Sequence, residues 1–138
     1  MKNLNTFISK WEGVQIDNDG GYTSNQYKEF QSEYKAILKS VICKETDTVL
    51  HSFNPSHYEF SAVLKHPETN TFYYISISDV RFWQDQWLNH ILFRTMQHDK
   101  DWSGGSNQFS NLYELSENLT NLINYQTRYV STYNDLER

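Results

Sequence analysis

Apolar residues recur at helical spacing near the start of the chain, where Leu4, Phe7, Ile8 and Trp11 fall on one side of a short helix over residues 3–12. A stronger stripe follows, made of Tyr27, Phe30, Tyr34, Ile37, Leu38 and Val41. Lys28, Glu29, Glu33, Lys35 and Lys39 lie opposite it, and Thr23-x-x-Gln26 supplies a capping box at its start. The period then drops to two. Thr48–Phe53 predicts a strand, ended by Asn54-Pro55-Ser56. From His57 to Lys65, Tyr58, Phe60, Ala62 and Leu64 alternate with Glu59, Ser61, Val63 and Lys65. Pro67–Asn70 reads as a turn, because Pro fixes φ and Asn tolerates the left-handed region. Thr71–Asp79 resumes with β-branched and aromatic residues, so residues 57–79 predict an antiparallel hairpin.

Residues 80–100 fit two patterns. A helix would align Trp83, Trp87, Leu88, Ile91, Leu92 and Met96. A turn or short helical loop over 82–87 followed by a strand from His90 to Gln97 would instead cover an otherwise open sheet edge. We expect the second. After the turn Ser103–Asn107, a long helix is predicted from Ser110 or Asn111, with Asn111-x-x-Glu114 as its capping box. Its stripe is Leu112, Leu115, Leu119, Leu122, Gln126, Tyr129, Tyr133 and Leu136. The expected fold is α+β: a single antiparallel sheet of three to four strands, helices packed on one face, a long C-terminal helix, and one domain over residues 1–138.

A chain of 138 residues can bury about two thirds of its unfolded surface, so no metal or disulfide is required for folding. The single cysteine, Cys43, reads as a small, partly buried thiol in a reducing compartment. No window approaches the ~20 apolar residues of a membrane span and no signal-peptide core is present, so we expect a cytoplasmic protein with no membrane association. Net charge is −5 with no basic cluster, which argues against duplex DNA and suits a basic protein partner. The Asn-, Lys- and Tyr-rich composition resembles that of small proteins of low-GC bacteria and their phages or mobile elements, many of which act as accessory proteins or inhibitors by binding host proteins.

Four kinds of chemistry were weighed. An anion or nucleotide site could form from Arg81, Arg94, Lys100, Gly104, Gly105 and Asn107, since two guanidinium groups, a close-approach Gly-Gly turn and a helix N-terminus all favour phosphate. A phosphoryl-transfer or nuclease-type centre could use His98 and Asp99 as an acid-base set, yet no nucleophile elbow accompanies them. Metal and cofactor binding are not expected. His51, His57, His66, His90 and His98 lack ligand spacing, and the Asp17-Asn18-Asp19 run has Lys28 where a calcium loop needs Glu. The fourth is an interaction surface built from Trp83, Trp87, Trp102, Leu122, Tyr129 and Tyr133, with the C-terminal helix also able to pair two copies of the chain as a homodimer. The sequence therefore reads as a non-catalytic binding domain acting through a protein partner, ahead of the anion-binding and enzymatic readings.

Overall fold

Asn3 starts the first helix in the way its side chain allows: Oδ1 accepts from Asn5 N at 2.8 Å and Thr6 N at 3.2 Å, satisfying two otherwise free donors of α1 (Leu4–Trp11). In this computed structural model residues 3–13, 25–55, 60–77, 89–102 and 106–136 are described, without the side chains of 128–136. The expected capping Thr23, the Asp17–Asp19 run and the 82–87 loop lie outside them. Phe7, Ile8 and Trp11 of α1 are buried against α2 (Asn25–Ile37), and Lys10 joins the two helices outside through Glu29 and Glu33, the latter at 2.8 Å. Both carboxylates hold the Lys10 ammonium pKa above its ordinary value.

The second helical stripe continues further than its apolar periodicity suggests, and it changes phase. Leu38–Cys43 is a π-helical segment that leads into one closing turn, α3 (Lys44–Thr46). A π turn accommodates one extra residue. The buried line accordingly moves from Val41 and Glu45, where an uninterrupted α-helix would place it, to Ile42, Cys43 and Thr46. Val41 is left half-buried, a correction to the predicted stripe. Asp47 then reverses the chain in the left-handed region (φ 55°), and buried Thr46 donates to Ile42 O at 2.7 Å.

Five strands form one antiparallel sheet in sequence order: β1 (Val49–Pro55), β2 (Phe60–His66), β3 (Thr71–Ile77), β4 (Ile91–Met96) and β5 (Gln108–Ser110). The expected β2–β3 hairpin is antiparallel, with Phe60 opposite Ile77 and His66 opposite Thr71, and Asn70 takes the left-handed turn position at φ 55°. Three differences from expectation have physical causes. The sheet has five strands rather than three to four, because Gln108–Ser110 is too short to show a period. Pro55 is the last residue of β1 rather than its breaker, a position an edge strand permits. Val63, expected on the polar side of β2, is completely buried.

Register separates the two faces. Phe60, Ala62, Leu64, Tyr73, Ile75, Ile77, Ile91 and Phe93 share one hydrophobic cluster with the buried residues of the helices. The last helix, α4 (Leu115–Leu136), follows a turn at 112–114 in which Asn111 Oδ1 accepts from Glu114 N at 2.8 Å. It enters the core through Leu115, Leu119 and Ile123, joined by Leu112 ahead of it. Leu122, placed on the stripe by a repeat of 3.5, is only half-buried, because a straight helix of 3.6 residues per turn drifts toward Ile123.

Two measurements probe this core. Ile42→Ala should cost about 2–5 kcal/mol in urea unfolding and Val41→Ala distinctly less; the reverse order would restore an uninterrupted α-helix. Tyr34 is buried, its hydroxyl has no hydrogen-bond partner among the described residues, and burial pushes its pKa up from the ordinary phenol value of 10.0. Above pH 10 the unfolded chain therefore loses a proton that the folded chain keeps, and stability falls as pH rises. Tyr34→Phe should stabilise by about 1 kcal/mol at neutral pH and flatten that alkaline fall. A loss of stability at neutral pH would mean that the hydroxyl has a partner after all.

Candidate functional site

On the face turned away from the helices, β2, β3 and β4 align Val63, Tyr74 and Arg94 in one row and Lys65, Phe72 and Met96 in the next. Arg94 is only 3% exposed. Its Nη2 donates to Asp101 O at 2.9 Å and its Nη1 to Thr95 O at 3.2 Å, while its guanidinium carbon lies 4.6 Å from the Tyr74 ring centre. A cation out of water needs such acceptors and a π face to offset desolvation.

Those contacts fasten the segment that follows β4. Within it, Asp101 N donates to His98 O at 3.2 Å and Asp101 Oδ2 accepts from Gln97 N at 3.0 Å, closing a tight turn. Trp102 emerges from this turn with its ring edge-on to Tyr74 at 6.1 Å and 56% of its surface exposed. A large ring is thereby held on the surface by a buried arginine. On the same face a β-bulge in β1 leaves His51 without a cross-strand partner and turns it toward Phe72, with ring centres 5.2 Å apart, and its Nε2 reaches Asp99 Oδ2 at 3.1 Å.

The expected sites can now be placed. Of the anion set, Arg94 spends donors on main-chain carbonyls, Lys100 and Asn107 are exposed, and Arg81, Gly104 and Gly105 lie outside the described residues. Of the acid-base set, Asp99 pairs with His51, while His98 Nδ1 accepts from Lys100 N at 3.2 Å. No group of three or more His, Cys, Asp or Glu able to hold a metal occurs among the described residues. Cys43 is buried, and burial raises its thiol pKa, which suits an inert side chain. Of the interface set, Trp102 is exposed and Leu122 packs half-buried on the core. Trp83 and Trp87, and the side chains of Tyr129 and Tyr133, lie outside the description. No described helix is long and apolar enough to cross a membrane.

A second feature occupies the helix side of the sheet and was not anticipated. β5 pairs with β4 only at Ile91–Phe93, whereas β4 continues to Met96, so a notch opens beside Thr95. The start of α4 closes one side of it, held by Asn118 Nδ2 donating to Ser110 Oγ at 2.9 Å. The resulting cleft has a volume of about 600 Å³. Asn118 and Asn121 flank the stripe of α4 and so look like ordinary solvent-facing positions in the sequence; only the position of β5 makes them walls. Comparison with protein-family models, with curated proteins and with solved structures found no match.

The arginine clamp makes a definite prediction. Arg94→Lys keeps the charge but cannot form the same fork of hydrogen bonds or stack as a plane. It should cost about 1.5–3 kcal/mol in chemical denaturation and shift the indole N–H resonance of Trp102. An unchanged Trp102 resonance would show that the turn holds its shape without Arg94.

Proposed function

We propose that this chain is a non-catalytic binding domain that docks a protein partner on the sheet face around Trp102. The observation that carries this reading is the exposed Trp102 ring, fixed in place through Tyr74 and the buried Arg94. Exposed tryptophan is costly to leave in water, and one whose orientation is already set loses little freedom on binding. Phe109 is exposed beside partly buried Leu92, its partner across the same face, and extends the apolar surface. The net charge of −5 favours a basic partner and disfavours a polyanion.

The test is retention by the immobilised full chain, with Trp102→Ala compared at equal folded concentration. A protein should be retained by the parent chain, and Trp102→Ala should weaken its affinity by about thirtyfold, the size of a hot-spot contact near 2 kcal/mol. Retention of nucleic acid or a small metabolite alone, or equal retention of the protein by Trp102→Ala, overturns the proposal.

A further inference from the structure

The cleft between α4 and the end of β5 lies on the helix side of the sheet, away from Trp102, and its lining is chemically unusual. None of the described residues that line it is ionic. The helical wall presents Asn121 and Gln126, the strand wall Gln108 and Thr95, and none of these four side chains makes a hydrogen bond to another described residue. The ring of Tyr125 stands at its rim and is 65% exposed, while Phe109 borders the cleft from β5 with its side chain on the opposite face of the sheet.

Each class of ligand can be judged against that lining. An ion would leave water with no opposite charge among the described lining residues to receive it. A purely apolar ligand would fill the space but strand amide donors and acceptors, at about 1–3 kcal/mol for each buried group. A peptide strand could meet the two amide walls with its two edges, but it carries no flat C–H face to set against a ring. Here the amides stand on both walls while the ring of Tyr125 stands at the rim. That distribution suits a molecule with hydroxyls around its circumference and C–H groups on its faces. A primary amide offers two donors and an acceptor oxygen, which matches neighbouring hydroxyls that both donate and accept. The volume of about 600 Å³ lies within the range of small-molecule sites and admits more than one sugar ring.

The geometry points to a binding site for a neutral saccharide, with Asn121, Gln126 and Gln108 bonding its hydroxyls and Tyr125 stacking on a ring face. Asn118 has a different part: its bond to Ser110 holds the wall in position.

Titration of the ¹⁵N-labelled full chain with maltotriose and with chitotriose, each to about 10 mM so that a millimolar site is mostly filled, reads the site through the side-chain amide signals of Asn121 and Gln126. At least one sugar should shift those signals. Asn121→Ala and Tyr125→Ala should each weaken its affinity by about tenfold. Both substitutions fall on exposed helix positions, so the folded spectrum should be retained, and Asn121→Ala favours helix. Adenosine and a blocked, uncharged tetrapeptide serve as competing arms. No shift with either sugar, an undiminished affinity in both variants, or a stronger response of the same signals to the nucleoside or the peptide would overturn the assignment.

Discussion

The ring of Phe60 is where the helices and the sheet grip one another. It lies 5.3 Å from Tyr27, 5.2 Å from Phe30, 6.1 Å from Tyr34 and 6.3 Å from Phe53, ring centre to ring centre, so one strand residue meets three rings of α2 and one of the neighbouring strand. Phe7 and Trp11 extend the same cluster to α1 through Phe30. Rings of this size each contribute about 1.5–3 kcal/mol on burial, with a further fraction from edge-to-face geometry. A chain poor in alanine has no small residues with which to bring helices close. It fills the wider gap with rings instead, and the positions of α1 and α2 follow from how those rings meet.

Much of this architecture can be read from periodicity alone. The α1 stripe and the β2–β3 hairpin with its left-handed Asn70 each carry enough residues for one period to stand out, whereas the strand at Ile91–Met96 fits two periods and is favoured only by the open edge it covers. The parts that escaped reading are those in which no period exists or one is interrupted. Three residues of β5 cannot display an alternation, and their pairing with Ile91–Phe93 is decided by a contact distant in sequence. Pro55 looks like a terminator until β1 is known to be an edge. At Leu122 and Ile123 both residues are apolar, so only the pitch of the helix decides which is buried.

The residues of the candidate site were legible in the opposite sense: their types were conspicuous and their contacts were not. Arg94 and Trp102 both stand out by residue type, one as an anion-binding candidate and the other as an interface candidate. An arginine near a Gly-Gly turn suggests an anion, whereas here its donors serve Thr95 and Asp101 carbonyls. The difference lies in Tyr74, one of ten tyrosines and unremarkable until the β3–β4 register sets it opposite Arg94. Likewise Asp99 is adjacent to His98 in sequence but bonds His51, because the bulge in β1 turns that ring across Phe72.

The π-helical segment Leu38–Cys43 has a consequence for how this chain can change length. Because it holds one residue more than an α-helix would need, loss of a residue there lets the rod close into regular α-helix while both flanking stripes keep their faces. The same loss within Asn25–Ile37 would swing the side chains on one side of it by about 100° relative to those on the other and break the fit around Phe60. The helix thus contains one interval in which the reading frame of its buried face is elastic, bounded on one side by a stretch in which it is rigid.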